Sequence, residues 1–196
     1  MLIFWDKRLV FLATPKAGST AVEVALESLA CASVQRPAAL KHTTARSYRD
    51  HIAPWLGLAA GGEFTTVALM REPIDWLRSW YRFRLRDDND DPAHSMAGIS
   101  FDDFVGLHAA GNRDMTAGFG SQADFLTDGG TRLVTHIFRY EDMDALTRFL
   151  EDRLDCEISL PRVNVPPSVD VTLSPETEAK ARAAMAADIA LYQSLT

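Results

Sequence analysis

Apolar residues form two kinds of run along this chain of 196 residues. LVFLAT (9–14), EFTTVALMR (63–71) and RLVTHIFRYED (132–142) are short runs, and the first two are continuous or rich in β-branched residues. That is the pattern of strands buried in a parallel sheet. Between them the spacing turns helical. STAVEVALESLA (19–30) sets Val22, Leu26 and Leu29 on one face. REPIDWLRSWYRFRLR begins a helix with Pro73 near its first turn. ISFDDFVGLHAA (99–110) predicts a helix capped by Ser100, and DMDALTRFLEDRL a helix after the third strand. A last helix is expected from Glu176 to about Ser194. The segment 34–51 is looser, RDDNDDPAHSMAG (86–98) reads as an exposed loop, and LPRVNVPPSVDVTLSP is rich in proline. The opening MLIFWDKRLVFLAT is broken by Asp6, Lys7 and Arg8, so it reads as a strand or hairpin rather than a signal peptide or membrane span.

Strands alternating with helices imply a three-layer α/β fold, a mostly parallel central sheet flanked by helices, in a single domain over 1–196. Ligands of such sheets bind at the carboxyl ends of the strands. Lys16, Arg71 and Arg139 follow or end the three strands.

Composition narrows the partners. Hydrophobic content of 47% and charged content of 24% are ordinary globular values. A net charge of −7 argues against nucleic acid as the main partner, so any anion must be met by a local concentration of cations. Cys31 and Cys156 lack metal-site spacing and read as two reduced thiols of a cytoplasmic protein. The five histidines are scattered, and no metal site is expected.

The sharpest stretch is TPKAGST (14–20), lying between strand and helix. Gly18 lets backbone N–H groups turn towards a ligand, Ser19 and Thr20 add hydroxyls at the positive end of a helix, and Lys16 adds a full charge. Together they make an anion seat. Lysine precedes glycine, however, so the Gly-Lys-Ser/Thr order of nucleotide triphosphatases is missing. Phosphoryl-transfer enzymes usually place a carboxylate for Mg²⁺ at a strand end, where this chain has Arg71. Ser79 lies about two helical turns further on, and the pair suits a second anion.

TPKAGST with ALMREPIDWLRSWY resembles the paired signature of the sulfotransferases that use 3′-phosphoadenosine 5′-phosphosulfate (PAPS). FRYEDMDALTRFLEDRL and LPRVNVPPS are similar to late segments of carbohydrate-type and bacterial members. The resemblance implies a P-loop-like sulfotransferase fold. It places Lys16, Ala17, Gly18, Ser19 and Thr20 around the 5′-phosphosulfate, and Arg71 and Ser79 at the 3′-phosphate. The implied partner is a hydroxyl-bearing acceptor, a carbohydrate or small metabolite. Trp76 stands where many relatives have arginine, and the late glycine-rich segment of phenol and steroid sulfotransferases is missing.

Sulfuryl transfer builds charge on the leaving oxygen, and the resemblance gives Lys16 the task of neutralising it. The acceptor hydroxyl needs a base, and His42 is the choice; Glu23 reads as a solvated helix face or a hydrogen-bonding support, and is a base only in reserve. Arg139 either touches the nucleotide or pairs with Glu141 or Asp142. Arg162 and Asn164 are candidates to cover the cofactor, and Lys41 to tune His42. Arg82, Arg84 and Arg86 read as solvated surface, and Trp76, Trp80, Tyr81 and Phe83 as core. Two other readings remain open: a P-loop nucleotide or small-molecule kinase, and a non-catalytic nucleotide-binding module.

Overall fold

The computed structural model describes all residues except 86–95, 97, 117, 119, 164–167 and 196, and of Met115 only the backbone. The loop expected over 86–98 falls outside the described residues but for Met96 and Gly98, and so do Arg86 and Asn164.

The opening segment is a hairpin. Strand β1 (Leu2–Phe4) turns through the polar Asp6-Lys7-Arg8 stretch into β2 (Leu9–Leu12). Helix α1 (Ser19–Leu26) follows, then the short strand β3 (Ala32–Ser33), which returns to the outer edge of β1. Strand β4 (Thr65–Met70) lies parallel to β2, with Leu9 opposite Thr65 and Leu12 opposite Ala68. A two-residue hairpin, β5 (Thr127–Asp128) with β6 (Thr131–Arg132), stands apart from the main sheet. Strand β7 (His136–Arg139) is parallel to β4 and completes the order β3-β1-β2-β4-β7.

The sheet is therefore mixed, not mostly parallel: two of its pairings are parallel and two antiparallel. A hairpin turn too short for a crossover forces β1 against β2 in the opposite sense. The parallel trio β2, β4 and β7 is unaffected, and its carboxyl ends share one edge.

Side chains alternate between two apolar layers. Leu9 and Phe11 pack with Val22 and Leu26 of α1 and with Leu146 and Leu150 of helix α8 (Met143–Leu154). Val10 and Leu12 face the other way, towards Ala45, Tyr48 and Leu56. Those residues lie on a helical run the sequence left as a looser segment or did not assign. After α2 (Ala38–Lys41), α3 (Ala45–Ser47) passes through a wide π turn (Tyr48–Ile52) into α4 (Ala53–Ala60). Pro54 lacks an N–H to give, which is a physical reason for an irregular turn just before it.

Helices α5 (Pro73–Arg84) and α6 (Phe101–Ala109) build a third cluster around Trp76, Trp80, Tyr81 and Phe104. Ser100 caps α6 as expected, with Asp103 completing the capping box. The short α7 (Gln122–Leu126) follows. The helix expected over 176–194 is two, α9 (Pro175–Ala184) and α10 (Ala186–Gln193), parted at Met185. Helix α1 stops at Leu26, and Leu29 is 52% exposed rather than on its buried face. Among the described residues, no helix is long and apolar enough to cross a membrane.

Candidate functional site

Beyond β2 the chain passes through Thr14 and Pro15 to Lys16, at φ 57°, and Gly18, at φ 80°, which caps α1. Two left-handed residues in three bend the loop sharply. Its carbonyls are held by the first turn of α5 and by the end of β4: Trp76 Nε1 donates to Pro15 O at 2.9 Å, and Arg71 Nη1, just past β4, to Lys16 O at 3.4 Å. Ala17 and Ser19 are buried and Thr20 half-buried, and the first N–H groups of α1 open onto the loop. Gly18 is needed twice over. Its φ disfavours other residues, and a Cβ there would meet the Tyr140 ring at 2.8 Å.

Arg71 directly follows β4. Its Nε and Nη2 both reach Asp75 Oδ2 at 2.6 Å, and the guanidinium lies 4.3 Å from the centre of the Tyr140 ring. One aromatic ring thus sets both the loop glycine and the strand-end arginine. The Arg71 backbone is clamped by Gln122, which accepts its N–H at 2.9 Å and donates to its carbonyl at 2.8 Å. Gln122 is in turn held by α10: Asp188 Oδ1 accepts the N–H groups of Gln122 and Ala123 at 2.8 and 3.2 Å. Burial pushes the Asp188 carboxyl up to about 6, against the pull of those two donors. Ser79 is half-buried one turn beyond Asp75 on the same side of α5, two turns from the Arg71 end. Arg78 Nη1 also approaches Asp75, at 3.9 Å.

The Lys16 ammonium lies 4.1 Å from the Phe83 ring centre and 5.7 Å from that of Trp80. Trp76 and Trp80 are core, as expected, but they also serve the loop, Trp76 as a brace and Trp80 with Phe83 as a seat for the lysine. Trp76 thus contributes a hydrogen bond to the loop and no charge.

His42 closes α2, and its Nδ1 lies 2.6 Å from the carbonyl of Ala13, at the end of β2. A carbonyl only accepts, so Nδ1 carries the proton and Nε2 the lone pair. Burial lowers the His42 pKa below the ordinary 6.5, Lys41 adds to the effect, and the Ala13 bond opposes it. The imidazole is neutral at pH 7. Glu23 is no reserve base: it is 2% exposed, with Oε2 on Lys41 Nζ at 2.7 Å and Oε1 on the Met1 amine at 3.3 Å. Lys41 is spent on that pair.

Burial also lowers His108 and His136. A histidine whose folded pKa is depressed resists protonation in the fold but not in the unfolded chain. The unfolded state then binds more protons below about pH 6.5, and stability falls as pH falls. Asp188 works in the opposite sense below about pH 6. With three histidines against one carboxyl, denaturation midpoints should drop between pH 7 and 5, and His42→Gln should flatten the drop. An unchanged profile in that variant would remove His42 from the account.

The other arginines are accounted for differently. Arg139 pairs with neither Glu141 nor Asp142: its Nη2 donates to the carbonyls of Leu195 at 2.6 Å and Tyr192 at 3.3 Å, and it rests on the Tyr192 ring. Glu141 instead accepts the Glu72 N–H and the Tyr192 hydroxyl, at 2.9 and 2.8 Å, and Asp142 caps α8. Arg84, read as solvated, is buried and donates to Asp114 O. Arg162 is exposed. Tyr140, Gln122 and Asp188 were not singled out in the sequence. Tyr140 alone left a trace there, as the neighbour of a strand-end arginine. Among the described residues no cluster of three or more His, Cys, Asp or Glu is placed to hold a metal ion.

The chain matches no known family, no curated protein and no solved structure.

Proposed function

We propose that this chain is a sulfotransferase with the P-loop-like fold of that family, using PAPS to sulfate a hydroxyl-bearing acceptor. The observation that carries the reading is the meeting of the two signature segments. Lys16 to Thr20 and Arg71 lie side by side, with Arg71 Nη1 3.4 Å from Lys16 O and both segments against Tyr140. The residues fit a ligand with two anionic groups. A sharply turned loop adjoins a helix start, a second cation ends the next strand, and the buried Thr14 Oγ1 has no partner among the described residues.

When bound, PAPS supplies an activated sulfuryl group whose departure leaves charge on a phosphate oxygen. Lys16 is the cation within the loop that neutralises such charge. Its contact with Phe83 amounts to about 0.5–2 kcal/mol, which a bound phosphate outweighs. Arg71, oriented by Asp75 and Tyr140, holds the second anion. His42 takes the acceptor's proton at Nε2, its tautomer set by Ala13, a contribution of roughly 10²–10⁴-fold.

Calorimetric titration with adenosine 3′,5′-bisphosphate, without metal, tests this. Binding should be weakened about 10–100-fold by Arg71→Ala, through the loss of charge-assisted hydrogen bonds, and about tenfold by Lys16→Ala. A preference for Mg-ATP, or no binding of either nucleotide, would sink the proposal. Tight bisphosphate binding with no transfer from PAPS to any acceptor would leave a nucleotide-binding module.

A further inference from the structure

A cavity of about 830 Å³ opens between the start of α3, α7, the β5–β6 hairpin and α10. Two of its lining residues neighbour the candidate site in the chain. Thr44, two residues past His42, lines one side, and Ala123, next to the glutamine that clamps Arg71, lines another. Its charge is the opposite of the protein's. Among the described lining residues, Arg46, Arg113 and Arg132 face a single carboxylate, Asp124, in a chain of net charge −7.

The three arginines differ in how far they are committed. Arg132 is tied to the carbonyls of Val134 and Thr135, and Arg46 to Asp128, which also binds Arg49 at 2.8 Å. Arg113 makes no ion pair or side-chain hydrogen bond with any described residue. Among the described lining residues its guanidinium is the cation left for a ligand; Arg132, tied to neutral carbonyls, adds to the positive potential, while Asp128 offsets Arg46.

The walls narrow the ligand further. Ala187 and Ala190 of α10 and the Gly129-Gly130 turn leave the space open, and Thr44, Thr127 and Ser194 edge it with hydroxyls. None of the described lining residues is aromatic.

We propose that this cavity receives the sulfate acceptor, and that the acceptor is a polyhydroxylated anion, a sugar acid or sugar phosphate whose charged group is held by Arg113. The acceptor role rests on the sulfotransferase reading; the anion site does not.

Calorimetry with glucose 6-phosphate, glucuronate and uncharged glucose separates the two. At least one anionic sugar should bind, equally well when adenosine 3′,5′-bisphosphate saturates the protein, and glucose should not. Arg113→Ala should weaken that binding about tenfold or more while leaving the bisphosphate affinity unchanged. Arg46→Ala should weaken it less, and Asp128 then keeps Arg49. Both arginines are exposed, so neither variant threatens the fold. Displacement of the sugar by the bisphosphate would put the anion in the Lys16–Arg71 seat and overturn the proposal. So would glucose binding as well as its phosphate, indifference to Arg113→Ala, or no sugar binding to a protein that binds the bisphosphate. Bisphosphate failing while an anionic sugar binds through Arg113 would overturn the sulfotransferase reading and leave the anion site standing.

Discussion

Gly18→Ala is expected to destabilise the protein by about 2–4 kcal/mol in chemical denaturation. Two independent costs add. A residue with a Cβ held at φ 80° loses roughly 1 kcal/mol or more relative to glycine. The new methyl would lie 2.8 Å from two carbons of the Tyr140 ring, so ring or loop must shift, an overpacking cost of about 1–3 kcal/mol. The same ring carries the Arg71 guanidinium, so the shift should also weaken anion binding at a residue the substitution does not touch. A double-mutant cycle with Tyr140→Ala separates the terms. The clash disappears in the pair and the backbone strain remains, so the two changes should be non-additive by about 1 kcal/mol or more. Additivity, or a loss below about 1 kcal/mol for Gly18→Ala alone, would show that the loop does not lean on Tyr140.

The second large effect is expected far from the loop. Asp188→Ala should cost about 2–4 kcal/mol, because the buried N–H groups of Gln122 and Ala123 lose their acceptor. Gln122 clamps both backbone polar groups of Arg71, so bisphosphate affinity should fall with stability. Asp188→Asn should behave differently. It keeps an acceptor oxygen and removes a charge whose folded pKa of about 6 stands above the ordinary 3.8. A carboxyl raised in the fold contributes its stability below about pH 4 and loses it as pH rises through about 6. The integrated difference is on the order of 3 kcal/mol. The asparagine variant should therefore lose little or even gain stability at pH 7, and the slope between pH 4 and 6 should change. Equal losses in both variants, at all pH values, would mean that packing and not the carboxylate is what α10 supplies.

What could be read in the chain was local. The TPKAGST loop, the arginine after a β-branched run, and Ser100 at its helix start each depend on residues a few positions apart, where backbone conformation and the intrinsic chemistry of side chains dominate. His42 was legible only as a residue type, and its tautomer comes from a carbonyl 29 positions away. Glu23 shows the limit from the other side. One turn past Ser19 it reads as a solvated helix residue, a hydrogen-bonding support or a spare base, and only the fold, where Lys41 and the Met1 amine meet it in the interior, selects the support.

What the sequence determined by itself, then, was the alternation of strands and helices, the hairpin or strand at the start, and the chemistry offered at the strand ends. Periodicity and turn residues fix these without reference to distant partners. Tertiary structure alone decided that β3 extends the antiparallel edge of the sheet, because pairing β1 with β3 depends on where the chain returns after α1. It also decided that Tyr140 joins Gly18 to Arg71, that Gln122 of α7 and Asp188 of α10 brace them, and that three arginines from separate elements surround one cavity. Those arrangements rest on contacts between residues tens of positions apart, which no local pattern of apolar and polar residues encodes.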